Sequence, residues 1–150
     1  MSTLRFPVWW DTTITIYNRY EDPQTQLVKW YKTTVSNCFW KYDRTKMKIG
    51  ETVLESDNTI CRIPESPNFL EKYQWVELPN DMMASKFTLG VGDIIVKGNV
   101  TDTIDEYSTG HRSTDLIAKY RELQGVIQVD AVTINTGRGR NNPHYYVRGI

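Results

Sequence analysis

"KFTLGVGDIIVKGNVTDTIDE" spans residues 86–106, and two architectures compete for it. Gly90, Gly92 and Gly98 surround a β-branched run, with Asp93, Asp102, Asp105 and Glu106 close by. A phosphate loop would need a helix directly after its glycines, so that backbone N–H groups and the helix dipole converge on the anion. Here "GVGD" runs into "IIVKG", a strand former, and the G-x-x-x-x-G-K-[ST] pattern is absent. The stretch therefore reads as turn, strand, turn. Gly90 and Gly92 supply positive φ, Asp93 bonds its neighbouring backbone, and Gly98 ends the strand. The carboxylates at 102, 105 and 106 lack the alternating oxygens, sixth-position glycine and final glutamate of a calcium loop, so they are expected to form a solvated acidic loop.

Strand patterning continues on the N-terminal side. "TTITIYNRY" places Ile14 and Ile16 on one side and Thr13, Thr15 and Tyr17 on the other. "EDPQ" signals a turn at Asp22-Pro23, "QLVKWYKTTV" a second strand and "SNCFWKYDR" a third. A turn is expected at Ile49-Gly50-Glu51. Short apolar stretches at Val53-Leu54 and Ile60–Ile63 follow, with "SDN" between them as turn chemistry. Residues 65–85 read as an irregular loop with one brief strand at Tyr73–Val76.

One segment is helical by pattern. In "HRSTDLIAKYRELQG", Ser113 is the expected N-cap, Asp115 suits the first turn, and Gly125 supplies the stop. Leu116, Ile117, Tyr120 and Leu123 form one apolar stripe. "VIQVDAVTINT" then alternates with Ile127, Val129 and Ala131 in phase before Val132 and Ile134 take over the apolar face. One extra residue, a β-bulge, produces such a flip. "GRGRNNP" is a turn and "HYYVRGI" a closing strand. Seven or eight short strands with one helix before the C-terminal hairpin predict a mainly β, antiparallel domain over 1–150. A small barrel is preferred to a sandwich, because glycines near strand ends and a bulge let a short sheet curl and close.

Composition restricts function. Lysine plus arginine and aspartate plus glutamate each count 18, so no global field draws the chain to nucleic acid or an anionic membrane. Cys38 and Cys61 stand outside any C-x-x-C spacing and are expected to be reduced and buried. The apolar patch in "MSTLRFPVWWD" is broken by Pro7 and too short for a signal peptide or membrane span, so a reducing cytosol is expected. Asn99-Val100-Thr101 matches a glycosylation acceptor only by pattern. His111 and His144 show no metal-ligand spacing. "STGHRS" gathers hydroxyls around His111, but triad members rarely neighbour one another in sequence, and no enzyme or cofactor is expected. Basic clusters remain at Lys41, Arg44, Lys46 and Lys48, and at Arg138 and Arg140 in the last predicted hairpin. They could meet phosphates, with Tyr42, Tyr145 and Tyr146 available for stacking. They could equally pair with acids on a neighbouring copy, since a head-to-tail ring juxtaposes different surfaces of identical subunits. Five Trp and nine Tyr also suit an assembly component.

The stretch "VGDIIVKG", continuing through "DLIAKYRELQG" to "PHYYVRGI", resembles the C-terminal part of small tailed-bacteriophage head–tail connectors, the head-closure, stopper or minor capsid proteins of the neck. The likeness covers roughly residues 59–150, beginning at "TICRIPES". It implies a small β-barrel that assembles as a homo-oligomeric ring below the portal and adaptor, closes the DNA channel and docks the tail terminator or tail tube. The chain would be made in the bacterial host cytoplasm and reside in the virion neck. Gly92, Asp93 and Gly98 would be barrel turns, His144, Tyr145, Val147 and Gly149 would form the closing strand, and none would be catalytic. The expected partner contacts are Trp9 and Trp10, the 65–85 segment, the acidic residues Asp102, Asp105 and Glu106, and Arg138 and Arg140. Packaged DNA would touch Arg138 and Arg140 or the 41–48 cluster. The alternatives are an oligonucleotide-binding barrel, a tail-completion or terminator protein of another neck layer and, more distantly, a hydrolase using His111 and Asp93.

Overall fold

The computed structural model describes residues 7–50, 52–121, 125–136 and 142–150, with the backbone alone along 43–49 and 52–57. Six strands form a closed antiparallel barrel in the order β1-β2-β3-β6-β5-β4. They are β1 (Thr12–Glu21), β2 (Val28–Ile49), β3 (Thr52–Pro64), β4 (Ile94–Lys97), β5 (Val126–Asn135) and β6 (His144–Gly149). Two one-turn helices, α1 (Lys72–Trp75) and α2 (Asn80–Met83), lie between β3 and β4, and α3 (Ser113–Arg121) lies between β4 and β5.

Alternation in β1 sorts two cores. Ile14 and Ile16 point into the barrel with Cys38, Cys61, Ile63, Ile95, Ile127, Val129, Tyr145 and Val147. Tyr17 points outward and packs with Ile94, Val96 and Val100 under Leu116 and Ile117 of α3. This explains the unbroken "IIV" of β4: one face fills the barrel, the other lies under the helix, and all three residues are buried. Both cysteines are buried in the barrel core and unpaired.

The expected turns stand where the glycines and the aspartate put them. Asp22 Oδ1 accepts from the N–H groups of Gln24 and Thr25 at 2.8 and 3.3 Å in the β1–β2 turn. Gly50, at φ +62°, turns β2 into β3, with Ile49 and Thr52 paired across it. Of the 90–93 turn, Gly92 takes positive φ (+95°) and Gly90 does not, while Gly98 takes +104°. The bulge expected in β5 falls at Asp130, where the register against β6 slips between Val129 and Ala131.

Three expectations change. The two strands read between residues 26 and 44 are a single 22-residue strand, β2. The break seen at Ser36 is a bulge: Asn37 adopts φ +61°, and Cys38 pairs with Thr12 while Val35 pairs with Ile14. Likewise "SDN" is not a turn but lies within β3, where pairing to β2 overrides its local preference. The strand at Tyr73–Val76 is instead α1, a helical turn that buries Trp75 at the barrel mouth against Tyr20 and Tyr31.

Antiparallel pairing gives the barrel two distinct ends. The β1–β2 turn, the 65–93 segment and the β5–β6 connection leave from one, here the cap end. The β2–β3 hairpin, the β4–α3 loop and the C-terminus leave from the other. At this second end the hairpin outruns the barrel. β3 meets β6 only from Thr59 onward, yet β2 and β3 continue to pair from Asp43 with Asn58 out to Ile49 with Thr52. At about 3.3 Å per residue the arm reaches about 20 Å past the barrel rim.

Candidate functional site

The arm carries the first basic cluster, and its register changes that cluster's meaning. Arg44 stands opposite Asp57 and Lys46 opposite Glu55. The sequence of the arm mixes both signs, with Asp43, Glu51, Glu55 and Asp57 among Arg44, Lys46 and Lys48, so it is no uniformly cationic segment. Among the described residues no third strand pairs with it. A two-stranded ribbon alone is marginal in water, so such an arm gains firm structure from whatever it lies against.

At the opposite end large apolar side chains stand in solvent among charged ones such as Glu71, Lys72, Glu77 and Asp81. Leu27 (53 % exposed), Tyr73, Val76, Met82, Val91 (77 %) and Tyr107 hold large side chains in solvent. Two clefts adjoin at Tyr20. One runs by Pro23, Val76 and Val91, and the other, of about 550 Å³, by Leu27, Trp30, Asn80 and Tyr107.

Behind this surface sits a buried carboxylate. Asp93 Oδ2 accepts from Asn18 Nδ2 at 2.9 Å and from the Gly90 N–H at 3.0 Å, and its Oδ1 accepts from the Arg19 N–H at 3.0 Å. Lys72 Nζ stands 3.9 Å from Oδ1, donates to the Arg19 carbonyl at 2.8 Å and lies over the Trp75 ring. Asn18 also donates to the Thr88 carbonyl and accepts the Thr88 N–H. Burial pushes the Asp93 pKa up, with Lys72 and the three hydrogen bonds opposing that shift. Just beyond the last β1–β4 pair, Tyr17 with Ile94, this side chain takes over the role of the missing strand. Asp93 was expected to serve its own turn. It also ties together β1, the 88–93 segment and α1.

The acidic loop is likewise occupied from within. Asp102 Oδ2 accepts from Lys119 Nζ at 2.9 Å and from the Tyr120 hydroxyl at 2.8 Å, and these bonds hold its carboxyl below the usual carboxylate range. Its backbone carbonyl takes the Tyr17 hydroxyl. Burial first, then the Asp102 charge, lifts the Tyr17 phenol well above its ordinary value. Glu106 Oε1 accepts the Ser113 N–H at 2.6 Å, and Asp115 Oδ2 accepts the Arg112 N–H at 3.1 Å. Ser113 is therefore the first helical residue and no N-cap, because carboxylates on either side satisfy the helix N-terminus. Asp105 Oδ1 accepts the Tyr107 N–H at 2.9 Å, leaving the most exposed charge of the three.

The remaining expected contacts separate. Trp9 is 63 % exposed, whereas Trp10 is 6 % exposed and packs edge-on against His144, with Phe39 beside it. Only Trp9 of that pair offers its ring to a partner. Arg138, Arg140 and Leu123 lie outside the described residues. His111 is exposed with its backbone in the loop turn, and His144 Nδ1 stands 2.8 Å from the Asn142 carbonyl. Among the described residues no group of three His, Cys, Asp or Glu could hold a metal, and no helix is long and apolar enough to cross a membrane.

A family model matches residues 9–150, all six strands and the arm; it describes a family of unknown function, DUF6751. The chain belongs to the DUF6751 family. No curated protein and no solved structure matches it. What reading the sequence of this DUF6751 chain missed is the Asp93 network, although one signal was present: an aspartate placed directly before a strand buried on both faces has no water to turn to.

Proposed function

We propose that this chain is a non-enzymatic structural subunit of the tailed-phage neck. It forms a homo-oligomeric ring between the portal or adaptor and the tail terminator or tail tube, closing the DNA channel and docking the tail. One observation carries the reading: an arm extends about 20 Å beyond the barrel at the end opposite a cleft-marked cap that exposes several large apolar side chains. A protein with a different adhesive feature at each end suits a place between two unlike neighbours. The closed barrel and its helix before the last hairpin also agree with what the head-closure resemblance implies.

The oligonucleotide-binding reading draws on the same arm, but its sequence sets Asp43, Glu51, Glu55 and Asp57 among Arg44, Lys46 and Lys48, a balance that suits a protein neighbour better than a phosphate backbone. Reconstruction of particles that contain the chain is the test, alongside particles from which its gene is removed. The expected result is a ring at the neck and, without the gene, tailless heads that lose DNA. Normal tailed particles in its absence, or salt-dependent binding of single strands by the purified chain without assembly, would overturn the reading.

A further inference from the structure

The barrel leaves two stretches of strand edge without backbone partners. β2 pairs with β1 from Val28 to Cys38 but meets β3 only from Phe39 onward, so the β3 side of Lys29–Ser36 receives no backbone bond among the described residues. β5 pairs with β4 through Gln128, exchanges two more bonds with Gly92 and Asp93 at Val129, and has no partner among the described residues on that side from Ala131 to Asn135. Each stretch carries exposed side chains: Lys29, Lys32, Thr34 and Ser36 on one, where Tyr31 turns inward onto Trp75, and Thr133 and Ile134 on the other. Unpaired N–H and C=O rows of this kind are templates for another strand. The Lys32 side chain does not guard its edge, because its Nζ reaches the carbonyls of Val100 and Thr101 at 3.4 Å.

Their relation to each other identifies the occupant. In the circular order β1-β2-β3-β6-β5-β4, β2 and β5 are diametrically opposite, and both free stretches lie toward the cap end. β2 runs away from that end and β5 toward it. Copies placed side by side with parallel barrel axes therefore bring one copy's β2 against the next copy's β5 in antiparallel sense. Because the two edges differ, the contact is heterologous and leaves a free edge of each kind for further copies. We propose that the Lys29–Ser36 edge of one copy pairs with the Ala131–Asn135 edge of the next, joining neighbouring barrels by a shared sheet. This inference rests on the ring reading above and supplies its subunit contact.

Single-cysteine additions test it, since native Cys38 and Cys61 are buried. Thr34→Cys and Thr133→Cys proteins are mixed with a short bis-maleimide, and the double variant is treated alone. Cross-linked dimer from the mixture but from neither variant alone, and a ladder from the double variant, is the expected result. Amide exchange should slow over Lys29–Ser36 and Ala131–Asn135 as concentration rises. Dimer from Thr34→Cys alone would show a two-fold contact and overturn the proposal, as would a chain that sediments as monomer throughout. Rings that form without the mixed cross-link would defeat the edge contact while leaving the neck reading intact. Mixed cross-links in a chain absent from phage necks would do the reverse.

Discussion

Gly149 packs so tightly onto the backbone of Gln128 that a β-carbon there would overlap the Gln128 carbonyl oxygen and stand 2.9 Å from the Ile127 Cβ. The glycine is therefore a spacing requirement of the sheet, at the point where β6 crosses the start of β5 beside the Asp130 bulge. Gly149→Ala should destabilise the fold by about 1–3 kcal/mol, the overpacking range, read as a lowered midpoint in urea with an unchanged m-value. An unchanged midpoint would mean the strands separate there at little cost.

Asn18 and Asp93 should behave as one unit. Asn18→Ala removes a donor to Asp93 and both of its bonds to Thr88. It should cost about 3 kcal/mol, because buried groups are left unpaired. In a double-mutant cycle the Asn18→Ala and Asp93→Ala losses should fall clearly short of additivity.

Two carboxylates should respond to acid in opposite senses. Asp102 has a lowered folded pKa, caused first by the Lys119 hydrogen bond, so its stabilisation is present above the unfolded carboxylate value of about 3.9 and is lost as pH falls through the folded value. Asp93 has a raised folded pKa, caused first by burial. Its charged form carries a penalty at neutral pH that lifts as pH falls through the folded value. Asp102→Asn should therefore make the chain less acid-sensitive. The sign comes from urea midpoints measured between neutral pH and pH about 3, and greater acid sensitivity in that variant would contradict the assignment.

The two adjacent tryptophans should part company. Trp10→Ala should cost about 3 kcal/mol or more, because the ring is enclosed by His144 and its neighbours. Trp9→Ala should leave the melting temperature nearly unchanged, and any effect should appear in assembly alone.

The arm should be separable from the barrel. Tyr42 and Thr59 are register partners at its base, so an Asn-Gly turn can join them directly in place of residues 43–58. The shortened chain should stay folded, with native β-sheet circular dichroism and cooperative melting, and keep its contacts with like copies, but fail to join the neck. Loss of folding would show that the arm belongs to the core.

Local chemistry was legible and long-range pairing was not. The Asp22, Gly50, Gly92 and Gly98 turns, the α3 pattern and the β5 phase flip each depend on residues near one another in the chain, and each was readable there. Ser36-Asn37 looked like a strand boundary because a left-handed asparagine serves a loop and a bulge equally well. Tyr73–Val76 looked like a strand because four mixed residues carry too little period to separate one helical turn from extended chain. The Asp93 network joins residues about 70 positions apart at Asn18 and Thr88, and only closure of the barrel brings them together. Carboxylates at 102–106 read as a free acidic surface, since nothing local reveals that Lys119, Tyr120 and Ser113 will consume them.

Cys38 and Cys61 face each other inside the barrel, where the Cys38 hydrogen bond and burial push the Cys61 thiol well above its ordinary pKa. Both side chains are fully buried, so both sulfurs should be silent to alkylating reagents while the staves of the barrel are joined. The rate at which they become labelled then counts openings of the whole β-structure. The protein thereby contains its own clock for how long an assembled barrel stays shut.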